Sequence, residues 1–448
     1  MADVSPVRPY ESYVYAYPHK TAYRPLRPRP ALADVWRDED RDALSFYAHI
    51  PFCEVRCGFC NLFTRVGAPD ELTTRYLDAL ERQARQVYAA LEASGEAPRF
   101  ANAAIGGGTP TFLTALELAR LFDIGEKWMH IDFAAIPISV EASPSTATPD
   151  RLRVLAERGT TRLSLGIQSF DAAEARAAVR PQKLSEVQQA LAAVRDAEVP
   201  ILNIDLIYGI DGQTEESWLR SLDTAIRWRP EELYLYPLYV RPLTGLSRAA
   251  SPEDTRDTAW DEQRLRLYRV GRDHLLASGY EQVSMRMFRR SDGSADLSAS
   301  GGGDYACQTD GMIGLGCGAR SYTSSLHYSF DYAVSASEVR GIIDDYVTTE
   351  DFGRAGVGFH LDLAEQRRRH FLQSLLQADG LDESVYLRRF GTEAAADFAA
   401  QIEPLRARGL LAEGALRLSP EGLAWSDAIG PMLFSPAVRG AMRAYALK

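Results

Sequence analysis

Between residues 44 and 240, six short runs of β-branched, aromatic and leucine residues alternate with longer amphipathic stretches, and no other feature restricts the fold as tightly. The strand-like runs are SFYAHI (45–50), NAAIG (102–106), IPISVE (136–141), RLSLGI (162–167), ILNIDLI (201–207) and ELYLYP (232–237). Helical periodicity fills 71–93, 115–129, 149–158, 184–197 and 215–228. Such alternation predicts βαβ units and a parallel sheet. Six units fall short of a closed eight-stranded barrel, so the expected fold class is α/β, a partial (β/α)6 barrel. An open doubly wound sheet is the alternative.

The flanks differ in texture. Residues 1–40 are rich in Arg, Pro and Tyr with no sustained period, which predicts an extended N-terminal arm lying over another surface. The barrel is assigned 41–250 and a mixed, Gly-rich extension 251–357. Residues 358–448 carry helical patterns and GLLAEGALRLSPEG, read as a small hairpin, hence a separate C-terminal, mainly helical, winged-helix-like domain.

Charge and cysteine usage narrow the function. Lys and Arg total 50 against 61 Asp and Glu, so the formal charge of −11 excludes nucleic-acid binding by bulk attraction. No apolar run reaches the ~18–20 residues of a membrane span, and the N-terminal residues lack a secretory pattern. Of the 5 Cys, three crowd into HIPFCEVRCGFC as Cys53, Cys57 and Cys60. An odd, clustered set predicts a reduced, cytoplasmic chain, not a disulfide framework.

The C-x3-C-x2-C loop follows directly on a predicted strand. Three thiolates on one short loop converge on a soft metal centre. An iron–sulfur cubane held by three Cys leaves one iron open to another ligand. A zinc site, with His49 as the fourth ligand, and three coincidental thiols are the alternatives. Farther along, strand ends carry Gly106-Gly107-Gly108-Thr109-Pro110, Glu141, Gln168 and Asp205, with Arg180 following Gln168. Glycines free backbone donors and allow close approach of a ligand. A buried Asp or Gln in an apolar strand is costly unless paired or ligand-bound. An internal Arg180–Asp205 ion pair is the plain alternative to a ligand role.

YAHIPFCEVRCGFC resembles the radical S-adenosylmethionine (AdoMet) superfamily and, within it, the HemN-like branch related to anaerobic coproporphyrinogen III oxidase. The resemblance spans roughly residues 45–440. It implies a [4Fe-4S] cluster on Cys53, Cys57 and Cys60, whose open iron binds AdoMet and cleaves it to a 5′-deoxyadenosyl radical. By the same resemblance the glycine segment receives the methionine amino group, and Glu141 is a ligand of the cluster-bound AdoMet. Gln168, Arg180 and Asp205 match contacts to a second AdoMet. Tyr47, Phe59, Gly107, Gly108, Thr109 and Tyr239 match further AdoMet-contacting positions, Tyr239 by place and not by residue type.

The resemblance breaks at Leu62, where true oxidases carry another Cys two residues after the third cluster Cys. The reaction expected is therefore C-methylation or cyclopropanation of an sp2 carbon with a second AdoMet as one-carbon donor, as in HemN-like methylases of natural-product pathways. Oxidative decarboxylation of a porphyrinogen propionate and a haem-binding chaperone are the alternatives. Expected partners are a small-molecule substrate, a reductant such as flavodoxin or ferredoxin, and a partner methyltransferase. Cys307 and Cys317 are candidate substrate-site thiols or small packed residues. His327 is a candidate proton shuttle or a structural histidine. The Tyr-rich arm is either a cover for the barrel mouth or a disordered tail.

Overall fold

A computed structural model describes residues 8–93, 95–180, 182–249, 258–292, 307 and 311–447. All six expected strands form: β2 (Leu44–Ile50), β5 (Phe100–Gly107), β6 (Ile138–Ala142), β7 (Arg162–Gln168), β8 (Ile201–Tyr208) and β9 (Glu232–Pro237). Besides them are two short pieces of the cysteine region between β2 and β5, β3 (Phe52–Cys53) and β4 (Arg65–Val66), and β1 (Arg24–Pro25) of the arm. The intervening helices are Asp70–Ala93, Ala115–Met129, Pro149–Glu157, Leu184–Asp196 and Glu215–Arg227. Their ends are written in the sequence. Thr114 caps the second of them in a box with Glu117, and Thr214 caps the fifth.

Adjacent strands pair in parallel from β2 through β5, β6, β7 and β8 to β9. This is the expected (β/α)6 arrangement, and it places the strand C-termini, with their polar residues, around one mouth. Register lines up Glu141, Ser164, Asn203 and Glu232 in one row, and Gly166, Asp205 and Tyr234 in the next.

The extension 251–357 splits between the two edges of the sheet. Strands β10 (Tyr280–Gln282) and β11 (Met287–Arg290) add antiparallel to β9. On the other side β12 (Met312–Leu315) runs parallel to β2, followed by antiparallel β13 (Arg320–Tyr322), β14 (Leu326–Ser329), β15 (Val357–His360) and β1. Most of the Gly-rich run around residues 300–310 lies outside the described residues. Helix Thr258–Ala277 packs its Gly271 against the indole of Trp218, where a Cβ would come within 2.6 Å.

The arm is not a disordered tail but packs against two cores. Tyr10 is buried in the barrel core, while Tyr17 and Ala22 are buried in a second core built by the C-terminal helices. The N–H groups of Glu11 and Ser12 donate to the carbonyl of Asp427 at 3.3 and 3.0 Å. Its aromatic content explains this: tyrosines bury large apolar rings while their hydroxyls find partners, as Tyr10 does on Tyr208 at 3.3 Å. The C-terminal part is helical from Leu363 to Arg443, and the expected hairpin is reduced to a single bridge, Leu411 with Leu418. Among the described residues no helix is long and apolar enough to cross a membrane.

Candidate functional site

The cysteine loop leaves β3 and is pinned from several sides. Gly58 N–H donates to the carbonyl of Ala178 at 3.2 Å, Leu246 N–H to that of Gly58 at 2.8 Å, and Arg56 Nη2 to that of Val334 at 2.7 Å. A side chain at Gly58 would put a Cβ 2.8 Å from that of Val179. The thiols have donors aimed at them: Thr109 Oγ1 lies 3.5 Å from Cys53 Sγ and Arg180 Nη1 2.9 Å from Cys57 Sγ. Burial pushes the Cys53 thiol up to about 12, with the Thr109 hydroxyl opposing and the neighbouring Cys60 and Cys57 adding to the rise. Cys60 is raised by burial and by the neighbouring Cys57. Thiols raised in this way need a positive partner to hold them as thiolates, and a metal cluster is such a partner.

His49 does not complete a zinc site. Its Nε2 faces the carbonyl of Phe63 at 3.2 Å and its Nδ1 the Tyr47 hydroxyl at 3.2 Å. Among the described residues no three His, Cys, Asp or Glu side chains converge on a position for a single metal ion. The cysteine set therefore suits a cluster with several metal atoms better than one ion.

The glycine turn has a different logic from the one expected. Built Cβ atoms at Gly106, Gly107 and Gly108 would meet the Glu141 carboxylate at 2.8 Å, the His49 ring at 2.4 Å and the Phe52 carbonyl at 2.6 Å. Each glycine thus makes room for part of the site itself. The backbone donors are not free either. Gly107 N–H binds Glu141 Oε2 at 3.0 Å, while Gly108 and Thr109 donate to the carbonyls of Ile50 and Phe52, both at 2.8 Å. A turn whose N–H groups are taken suits an ammonium, which needs acceptors, better than an anion.

Glu141 keeps accessible surface at the strand end, yet it is densely surrounded by protein. That burial pushes its carboxyl up to about 7, against the Gly107 N–H and with help from the Asp205 charge. Asp205 accepts from Asn203 Nδ2 at 2.7 Å and Ser164 Oγ at 3.2 Å, and burial raises its carboxyl as well. The alternative Arg180–Asp205 ion pair does not form. Arg180 instead reaches Cys57 Sγ, the carbonyl of Gly166, and Gln182 Oε1 at 3.1 Å. Gln168 closes β7 in the left-handed region with φ of 73°, a strained conformation for a residue with a side chain.

Phe59 packs beside Ile207, Ile210 and Leu238 at the ends of β8 and β9. Tyr239 turns its hydroxyl to Asp427 Oδ2 at 2.5 Å, toward the C-terminal helices. The structure therefore gathers the cysteines, Tyr47, Thr109, Glu141, Gln168, Arg180 and Asp205 at one mouth, with Tyr239 engaged at its rim. Sequence reading missed Ser164 and Asn203, which hold Asp205. Their signal was a lone polar residue in an apolar strand, four positions before Gln168 in RLSLGIQ and two before Asp205 in ILNIDLI. It also missed the pair formed by Arg162 Nε and Glu232 Oε2 at 2.7 Å, which lies below the site in the barrel.

Two other candidates resolve. His327 is fully buried with Arg369 Nη1 on its Nε2 at 2.8 Å, and burial followed by that guanidinium holds its pKa well below 6.5, so it is structural. Cys317 is buried against the Tyr76 hydroxyl, which makes it a small packed residue.

The radical SAM superfamily model matches residues 47–225. Oxygen-independent coproporphyrinogen III oxidase of Pseudomonas aeruginosa is 29% identical over 395 residues, 85% of this chain and 81% of that protein. Its counterpart in Salmonella typhimurium is 28% identical over 92% of this chain and 90% of its own length. Heme chaperone HemW of Bacillus subtilis is 25% identical over 84% of this chain and 96% of its own length. Among solved structures, coproporphyrinogen III oxidase (HemN) from Escherichia coli superposes with a TM-score of 0.75 at 25% identity, covering 90% and 92% of the two chains.

These relatives overturn the expected C-methylation or cyclopropanation, and with it the natural-product methyltransferase assignment. That expectation gave one position, Leu62, more weight than the whole length of the chain. Residues 47–225 thus carry the radical SAM match on the α/β fold of HemN, in a chain similar along most of its length to oxygen-independent coproporphyrinogen III oxidases and heme chaperone HemW, and a radical SAM match implies a [4Fe-4S] cluster and AdoMet.

Proposed function

We propose that the chain oxidatively decarboxylates a propionate side chain of a porphyrinogen, with two AdoMet molecules in the barrel. The observation that carries this is likeness to the oxidases along almost the whole chain, joined to a mouth that keeps Glu141, Gln168, Arg180 and Asp205 together. In atom balance, the propionate loses one hydrogen atom from the carbon next to the ring and releases carbon dioxide. The remaining electron passes to a one-electron acceptor, and a vinyl group is left. When bound, the cluster and AdoMet supply the hydrogen-atom acceptor.

The chain's own residues do the rest. Cys53, Cys57 and Cys60 would hold the cluster, and Thr109 and Arg180 donate to its sulfurs. Glu141 and the glycine turn would hold the first AdoMet, with Tyr47 and Phe59 beside it. Gln168, Arg180 and Asp205 would hold the second. A low-potential donor such as flavodoxin or ferredoxin is the partner this chemistry requires.

The test is anaerobic reconstitution with iron, sulfide, AdoMet and a strong reductant, then incubation with coproporphyrinogen III. A product lighter by carbon dioxide and two hydrogens per propionate is expected. Iron analysis of the three Cys→Ala variants checks the cluster independently, since two thiolates hold a cubane poorly.

A haem-binding chaperone is the second reading, favoured by Leu62 and by likeness to HemW. Stoichiometric haem binding with no porphyrinogen turnover would support it.

A further inference from the structure

Two cations stand near the cysteine loop without a carboxylate. Lys20 begins the short turn Lys20–Ala22 of the arm, its Nζ 3.7 Å from the centre of the Tyr332 ring. Arg320 opens β13, its guanidinium 4.7 Å from the centre of the Tyr15 ring. Nη1 of Arg320 is buried and has no hydrogen-bond partner. Among the described residues no ion pair joins either cation to an Asp or Glu.

Their field shows on the neighbours. Burial alone would raise the Tyr15 hydroxyl, yet Lys20 and Arg320 bring it below its ordinary value. Burial, reinforced by Lys20, Arg320 and Arg241, drives His19 well below 6.5. Lys20 in turn feels the Cys60 thiol, and Arg320 acts on Tyr47, so the pair lies between the arm and the AdoMet-side residues. Two like charges in a poorly solvated mouth are costly until an anion joins them.

We propose that Lys20 and Arg320 form a carboxylate receptor that seats an acidic side chain of the substrate against the cysteine loop. Identifying that side chain as a tetrapyrrole propionate rests on the porphyrinogen reading; the receptor itself asks only for a carboxylate. The arm then supplies half of a substrate contact, and β13 the other half.

The test compares the reconstituted parent with Lys20→Met, Arg320→Met and the double variant. Affinity is measured for coproporphyrin III and for its neutral tetraamide, and for AdoMet in parallel. Each single change should weaken coproporphyrin binding about tenfold or more and leave the tetraamide unchanged. Ligand-free Tm should stay level or rise, because an uncompensated charge has been removed. Equal losses for both probes, or a lower Tm with binding unchanged, would overturn the receptor. Loss of AdoMet affinity with coproporphyrin affinity kept would assign the anion to AdoMet and overturn it as well.

A parent that binds no coproporphyrin defeats the porphyrinogen reading alone. The receptor is then read from succinate and succinamide: succinate should raise the parent's Tm, succinamide should not, and the double variant should ignore both. A parent indifferent to succinate would sink the receptor too.

Discussion

Arg180 Nη1 donates to Cys57 Sγ at 2.9 Å, so one guanidinium joins the cysteine loop to the segment that follows β7. The same group donates to the carbonyl of Gly166, and no ion pair links it to Asp205. Arg180→Ala should keep most of the iron yet lower the reduction potential of the reconstituted cluster, since a positive donor to sulfur favours the more negative state. A loss of about 1.4 kcal/mol corresponds to about 60 mV for a one-electron couple. Arg180→Lys, which keeps the charge, should recover part of the shift. Redox titration followed by electron paramagnetic resonance reads both variants, and an unchanged potential in Arg180→Ala would refute the electrostatic role.

The His49 ring is held between two glycines. A Cβ on Gly107 would fall 2.4 Å from it and one on Gly318 2.2 Å, and Gly107 also has φ of 118°. Either Gly→Ala change should cost about 1–3 kcal/mol by overpacking alone, with backbone strain adding at Gly107. Adding His49→Ala to Gly318→Ala should return part of the lost stability. Urea denaturation of the three variants checks the order.

Arg286 and Asp427 are both buried and paired, the first immediately before β11 and the second in the C-terminal helix Ser426–Met432. The Tyr239 hydroxyl shares Asp427, and Tyr13 of the arm lies 3.9 Å from the Arg286 guanidinium. Arg286→Met or Asp427→Leu alone should cost about 3–5 kcal/mol by leaving one buried charge unpaired. The double change should be much milder. Thermal melts decide it: two equal and additive losses would mean that the pair does not couple these parts.

Glu141 gives a pH signature. Its carboxyl moves from 4.5 to about 7 on folding, mainly by burial, so the folded state holds the proton more tightly. Stability from this group is complete below about 4.5 and is lost as pH rises through about 7. In the ligand-free protein, Glu141→Gln should therefore flatten part of the fall in Tm across that window. The gap between variant and parent should widen with pH in favour of the variant. A gap that stays constant would show that Glu141 ionises in the folded chain as it does in the unfolded one.

The barrel was legible because each βα unit repeats one pattern, and five of its helices carry clear amphipathic periods. Strands β12 and β13 escaped notice because they are short and lie in a Gly-rich stretch. There the glycines serve close backbone packing, as at Gly314, where a Cβ would sit 2.2 Å from the carbonyl oxygen of Arg320. The depth to which the arm is buried escaped notice for a related reason: its tyrosines bury without any period, since each contacts a different element. At the site, residue types announced the cysteine loop and the strand-end acids. Sequence could not say where donors point, and that hid the spent N–H groups of the glycine turn and the turn of Arg180 toward Cys57. Leu62 is 48% exposed at the edge of the cysteine loop, so its identity says little about the frame around it.

The way the arm is fixed bears on the order of assembly at the ribosome. Tyr17 donates to Glu365, Ser435 N–H donates to the Tyr17 hydroxyl, and Arg24 binds the carbonyl of Ala441, so these partners lie 348 to 418 residues farther along the chain. A protein made from its N-terminus emits the arm first and its anchors last. Until the last helices are made, Tyr17 and Arg24 lack these anchors, while Tyr10 can already enter the barrel core beside Tyr208. Full fixing of the arm therefore waits for the final helices, well after the barrel strands and the cysteine loop have left the ribosome.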